Sequence, residues 1–249
     1  MAGIRIDTVF TDTTLPTGAS LASQLLGSTG LSHWFQADPS YVTLGTGQNI
    51  ASFTDRVATG QSFTQATSAN QATLDANVFG TYAGADFTAA NNDSYTLSGS
   101  QPTLTAPFSI CVVFKTRATT AAQNLLGSFT SGSIRSILNR GSTAAQLQHQ
   151  YGTSNMVFPI VDGVVQALIY GFDGAYLRGS IGGGVEIPKV AAAGAPGTGT
   201  MVMGTLTGGG QPFDGFISDV IMFNNCVLDN PTALANLRAL VAGVYGVTP

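Results

Sequence analysis

The sequence predicts an all-β protein: a jelly-roll β-sandwich of the concanavalin A-like kind, with an extended N-terminal arm and a short C-terminal helix. Residues 213–223, Phe-Asp-Gly-Phe-Ile-Ser-Asp-Val-Ile-Met-Phe, read as a long strand with both faces apolar. In an unbroken strand Phe216, Val220 and Met222 share one face, and Ile217, Ile221 and Phe223 the other. Such a strand belongs in the middle of a layered structure. Short β runs also recur along the chain at spacings of roughly 8–12 residues, separated by turn residues, as in sandwiches. No long helical pattern separates them, which argues against a βαβ architecture.

In chain order, residues 1–30 differ from the rest. Ile4, Ile6, Val9 and Phe10 alternate with polar residues, an extended polar run follows, and Ala19 to Leu26 has the length of one or two helical turns before Gly27. We read 1–30 as an arm that anchors the protein on a neighbour, and 31–249 as the sandwich. Its β runs include Ile50–Arg56, Gln61–Thr67, Asn70–Leu74, Val78–Tyr82, Asp93–Leu97, Phe108–Thr116, Leu125–Phe129, Ala145–Tyr151, Val164–Tyr170, Ala175–Ile181 and Met201–Gly204. Residues 190–200 read as an irregular loop, and the triplets 182–184 and 208–210 as glycine turns. Asn230-Pro231 has the form of a helix cap followed by proline at the first helical position. Leu234, Leu237, Val241 and Val244 follow at helical spacing, with Gly243 and Gly246 marking the end.

Charged residues make up only 9% of the 249, against about 25% in an average domain, and polarity comes from Ser, Thr, Asn, Gln and 31 glycines. The nine Lys and Arg residues are scattered singly and the net charge is −4. Nucleic acid, which needs clustered cations, is not an expected partner. No apolar run reaches the roughly 20 residues of a membrane span. The first residues lack the apolar core of a secretory signal. Cys111 and Cys226 each lie in or beside an apolar strand, so two buried reduced thiols are expected.

The order of several elements resembles the laminin-G-like jelly-roll domains of bacterial surface and phage virion proteins. They are Trp34 to Asp38, Phe53-Thr-Asp55, Phe63-Thr-Gln with Gln71, Phe108 to Phe114, Met203-Gly204, Phe213 to Ile221, Leu228 and Tyr245-Gly246. The match runs from about residue 31 to 246. The fold hosts lectins, glycosidases and structural modules, so it does not by itself assign a function. Glucanases that share it set two carboxylates on one strand face. Here Glu186 is the single glutamate, and Asp214 and Asp219, five residues apart, face opposite sides of a regular strand. No catalytic residue is expected. His33 and His149 stand apart from Cys or acidic neighbours and read as surface or half-buried residues. Asn91-Asn92-Asp93 and Asn224-Asn225 hold too few carboxylates for calcium and read as turns. No metal or cofactor is expected.

These features lead first to a non-enzymatic structural protein on the virion surface of a tailed phage, a capsid or neck decoration or fibre component made without a signal peptide. Its partners would be other capsid, neck or tail proteins and copies of itself, contacted through Ile4, Ile6, Val9 and Phe10. The alternative is a lectin-like module for host surface polysaccharide, with Tyr41, Tyr82, Tyr95, Tyr151 and Tyr176 as candidate stacking residues and Trp34 assigned to the core. A hydrolase with an atypical acidic pair is the remote third.

Overall fold

The computed structural model describes residues 18–57, 59–117, 121–130, 134–141, 146–194, 199–206 and 210–249. Ile4, Ile6, Val9 and Phe10 lie outside them. The first half of the chain runs α1 (Gly18–Leu26), β1 (Leu31–Gln36), β2 (Val42–Leu44), β3 (Ile50–Thr54), β4 (Ser62–Thr64), β5 (Thr73–Phe79), β6 (Tyr82–Phe87), β7 (Tyr95–Leu97) and β8 (Phe108–Thr116). The second half runs β9 (Gln123–Thr130), β10 (Ile134–Arg140), β11 (Gln146–Tyr151), β12 (Ser154–Pro159), β13 (Gln166–Phe172), β14 (Tyr176–Ile181), β15 (Val190–Ala191), β16 (Met201–Met203), β17 (Gly215–Phe223) and α2 (Pro231–Tyr245).

These strands form two antiparallel sheets. One has the order β15-β14-β13-β8-β17-β6-β5, with β1 also paired to β17; the other has the order β12-β11-β10-β9-β16-β7-β4-β3-β2. The core between them includes Phe35, Phe63, Phe87, Val112, Phe114, Leu126, Leu138, Tyr170, Ile217 and Met222. A second core lies between the first sheet and the two helices, holding Leu21, Leu25, Trp34, Cys111, Ile169, Ile221, Phe223, Leu237 and Val241. This third layer is why β8 and β17 are apolar on both faces.

The alternation read for β17 is broken in the middle. The register shifts between Ile217 and Asp219, a β-bulge. One extra residue reverses the phase, so Ile217 joins Val220 and Met222 between the sheets, while Phe216 turns toward the helix side with Ile221 and Phe223. At the same point β17 changes partner along its far edge: Gly215 to Ile217 pair with β6, and Asp219 to Phe223 with β1.

Helix α2 is capped as its sequence implies. The Asn230 side chain accepts from the Ala233 N–H, Pro231 opens the first turn, and Gly246 closes it in the left-handed region at φ 68°. Gly243 lies inside the helix rather than at its end. A Cβ there would stand 2.7 Å from the Leu21 side chain, so glycine lets α1 approach closely. With Leu21 and Leu25 buried, residues 18–30 pack as part of the folded body. Residues 190–200 also begin as a short strand, β15.

Other expectations resolve locally. Cys111 and Cys226 are both free and buried. His33 and His149 are buried rather than half-exposed. Along β11 the glutamines face outward while Leu147, His149 and Tyr151 face the core, and burial lowers the His149 pKa to about 3, which keeps the ring neutral. Residues 91–93 form a turn, with Asn92 in the left-handed region at φ 58°. Asp93 is buried; one carboxylate oxygen accepts from the Thr88 N–H at 2.7 Å and the other has no partner. Burial, with the nearby Asp86 charge, raises its pKa to about 6. A raised carboxyl stabilises the fold below its unfolded pKa, and that stabilisation is lost as pH rises toward 6. Asp93→Asn is therefore expected to stabilise the protein by about 1–2 kcal/mol at pH 8 and by nothing at pH 4, read from urea unfolding at the two pH values.

Candidate functional site

Where β17 passes from β6 to β1, the C-terminal end of α2 crosses the split and roofs a cleft of about 400 Å³. Its lining includes Trp34 and Gln36 of β1, Asp38 and Tyr41 just after β1, Arg56 after β3, and Tyr82 at the start of β6. Asp219 of β17 and Tyr245 of α2 complete it. The volume lies within the range of small-ligand sites.

The floor is a continuous hydrogen-bonded network. Trp34 Nε1–H donates to Asp219 Oδ1 at 2.6 Å, and Asp219 Oδ2 meets the Tyr245 hydroxyl. That hydroxyl lies 2.8 Å from Ser218 Oγ, which donates to the Ala83 carbonyl at 3.0 Å. Gln36 bridges to the rim: its Nε2 donates to the Tyr245 oxygen at 3.4 Å, and its Oε1 accepts from Arg56 Nη1 at 2.5 Å. The Arg56 guanidinium carbon lies 3.6 Å from the centre of the Trp34 ring and 4.3 Å from that of Tyr41. This covers the indole, which is only 1% exposed.

Three oxygen-to-oxygen contacts run in series, from Asp219 to Tyr245, Tyr245 to Ser218, and Ser218 to the Ala83 carbonyl, with the Tyr245 hydroxyl donating to Asp219. Burial pushes the Asp219 pKa up, against the opposing pull of the hydrogen bonds from Trp34 and Tyr245 and of the Arg56 charge.

Asp55 holds the adjacent turn. Its Oδ1 accepts from the N–H groups of Trp34 (2.9 Å) and Val57 (3.0 Å), and its Oδ2 from His33 Nδ1 (2.7 Å) and the Thr59 hydroxyl (2.5 Å). Arg56 N–H in turn donates to the Trp34 carbonyl at 2.9 Å. The loop bearing Arg56 is thereby fastened to β1.

Two of the five tyrosines singled out from sequence, Tyr41 and Tyr82, come together in this cleft. Tyr82 is 36% exposed and meets Tyr245 edge-on at 5.6 Å. Tyr95 and Tyr151 are ruled out as ligand contacts because both are core residues. Tyr95 bridges the Ala72 N–H and the Ile50 carbonyl, and Tyr151 donates to the Leu104 carbonyl. Tyr176 is exposed but sits on β14 beneath Lys189, outside the cleft. Sequence reasoning did not single out Arg56, Gln36 or Tyr245. Tyr245 carried the one available signal, a polar-tipped aromatic one turn after Val241 on the buried helix stripe.

The acidic residues do not converge. Glu186 binds Arg178, which also engages Asp173 and Asp229. Asp214 pairs with Arg117 at 2.8 Å, alongside Asp86. Among the described residues no group of three or more His, Cys, Asp or Glu side chains is placed to hold a metal, and no helix is long and apolar enough to cross a membrane. A second concavity of about 220 Å³ is lined by Pro102, Leu104, Pro107, Phe108, Met222 and Phe223, with polar residues such as His33, Gln61, Gln101 and Asn224 among them.

No protein-family model and no curated protein matches the chain. Solved structures do. A Trypanosoma rangeli sialidase with 2,3-difluorosialic acid, a covalent intermediate, is similar over 90% of this chain with TM-score 0.57 and 11% identity, and 37% of that chain is covered. The same organism's sialidase with the inhibitor DANA is similar over 80% of this chain, with TM-score 0.55, 12% identity and 31% of that chain covered. A Ruminococcus gnavus IT-sialidase CBM40 bound to α2,3-sialyllactose gives TM-score 0.43 at 17% identity, over 53% of this chain and 84% of that one. This chain thus spans about a third of the length of the two sialidases. At these identities the likeness bears on the fold alone, and none of these three is a virion protein.

Proposed function

We propose that this protein is a non-catalytic carbohydrate-binding module, the lectin-like alternative rather than the virion scaffold that composition favoured. One observation carries the reading. A single cleft combines aromatic surface from the exposed Tyr82 and the half-buried Tyr41 and Tyr245 with the planar polar groups of Gln36, Asp38 and Arg56. Aromatic rings accept the apolar faces of a sugar, while planar donors and acceptors take its hydroxyls. The similar sialidases hold 2,3-difluorosialic acid and the inhibitor DANA, which supports the sugar reading without transferring their chemistry. Catalysis is left out of the proposal because Glu186 and Asp214 are held in separate ion pairs and Asp219 is buried and bonded to Trp34 and Tyr245. A virion location rests on low charge, Ser/Thr/Gly/Ala richness, the arm expected over residues 1–30 and the resemblance to phage-borne modules, and a particle-borne glycan binder reconciles it with this reading.

The test is a glycan array followed by calorimetry on the best ligand. Tyr82→Ala is expected to weaken binding about tenfold, the worth of one aromatic contact, with the melting temperature nearly unchanged because the side chain is on the surface. Tyr176→Ala, outside the cleft, should leave affinity as it was. Equal loss in both variants, or in neither, would place the sugar elsewhere or remove it.

A further inference from the structure

Resting on that reading, we infer that the ligand carries a carboxylate, as in a uronate or another sugar acid, and that Arg56 receives it. A guanidinium offers five N–H bonds. Among the described residues the protein uses one, Nη1 to Gln36, and Nε is buried with no partner. No carboxylate of the described residues lies within ion-pairing distance of it. Arg117, Arg140 and Arg178 each hold at least one Asp or Glu, and Arg238, which holds none among the described residues, donates to the Gly184 and Pro249 oxygens and to Ser180.

The groups facing Arg56 explain why its charge is open. Trp34 and Tyr41 present ring faces, which hold the guanidinium flat without neutralising it. Gln36 is uncharged. Asp219 beneath is taken up by the Trp34 indole and the Tyr245 hydroxyl and forms no ion pair with Arg56. Asp38 on the rim accepts from the Ser40 N–H at 2.8 Å and forms no ion pair with Arg56. The result is a planar cation whose Nη2 and second Nη1 hydrogen are unused by the described residues, in a cleft walled by aromatics. A fork of this kind matches a carboxylate in two parallel hydrogen bonds, the strongest neutral-pH partner it can take. Sugar hydroxyls alone would leave the charge uncompensated.

The experiment compares methyl glucuronide and methyl N-acetylneuraminide with their methyl esters by calorimetry, using the whole chain and its Arg56→Gln, Arg56→Lys and Tyr82→Ala variants. The ester keeps every hydroxyl and ring face and removes only the charge. The native protein is expected to prefer at least one acid over its ester by about 10- to 100-fold, the worth of a charge-assisted fork. Arg56→Gln should abolish the preference, Arg56→Lys should restore part of it, and Tyr82→Ala should weaken acid and ester alike. Which acid binds identifies the sugar. If acid and ester bind equally and both depend on Tyr82, the carboxylate inference is wrong while the glycan-binding reading stands. If no saccharide, charged or neutral, binds in a Tyr82-dependent way, the glycan reading fails and this inference with it. Unfolding curves matched to the native protein's keep a misfolded variant from imitating either loss.

Discussion

Asp219→Asn is expected to lower stability by less than about 1 kcal/mol, whereas Asp219→Ala lowers it by about 3 kcal/mol, the cost of buried polar partners left unpaired together with a cavity. The carboxyl accepts from the Trp34 indole on one oxygen and from the Tyr245 hydroxyl on the other. Asparagine keeps a carbonyl toward Trp34, and its N–H meets the Tyr245 oxygen once that hydroxyl turns to donate to Ser218 Oγ, 2.8 Å away. Alanine leaves both partners unpaired. The pH dependence gives a second contrast. A carboxyl raised by burial stabilises the fold below its unfolded pKa near 4 and loses that contribution as pH climbs, because the unfolded chain releases the proton before the folded one does. The Asn variant has no such slope, so its stability relative to the native protein should improve from pH 4 to pH 8. Urea unfolding of the three proteins across that range measures both effects.

Much of the fold was legible because period-2 alternation and turn residues are local signals. Strands such as β8 and β11 show them plainly, and the Asn230-Pro231 cap fixed the start of α2. What was hidden depends on tertiary partners. The bulge between Ile217 and Asp219 has no sequence mark, since Phe216 and Ile217 are both apolar and either satisfies the pattern. Yet it decides which of them joins the inter-sheet core, and it marks where β17 changes neighbours and leaves room for the cleft. The site was only half legible for the same reason. Tyr41 and Tyr82 qualify by residue type, but so do Tyr95 and Tyr151, and only the layered packing separates rings at a sheet split from rings between sheets. Arg56 is one of nine scattered cations in the sequence. Its role emerges once Trp34, Tyr41 and Gln36, up to 22 positions before it, are seen around one guanidinium. Asp219, only a remote candidate for an acid pair in the sequence, is a buried carboxyl held by Trp34 and Tyr245.

Asp55→Ala should be the most damaging single change at this site, lowering stability by about 3–4 kcal/mol at pH 7. The carboxylate is buried and takes four hydrogen bonds, so its loss orphans the N–H groups of Trp34 and Val57 and the side chains of His33 and Thr59. Burial alone would raise its pKa, but the bonds from His33, Thr59, Trp34 and Val57 outweigh that and hold it below the ordinary value of 3.8. The stabilisation is therefore present above about pH 4 and lost as pH falls through the depressed pKa, opposite in sense to Asp93 and Asp219. The gap between native and Asp55→Ala unfolding free energies should narrow in acid. Binding supplies the link from fold to function. Asp55 fastens the turn that presents Arg56, so the variant, at a temperature where it is still folded, should also lose affinity for an acidic saccharide and keep much of its affinity for the ester. Tightly bound acid in a destabilised Asp55→Ala protein would mean that Arg56 is held by its stack on Trp34 and Tyr41 alone. A joint loss would make the β1-to-β3 tether part of the recognition machinery.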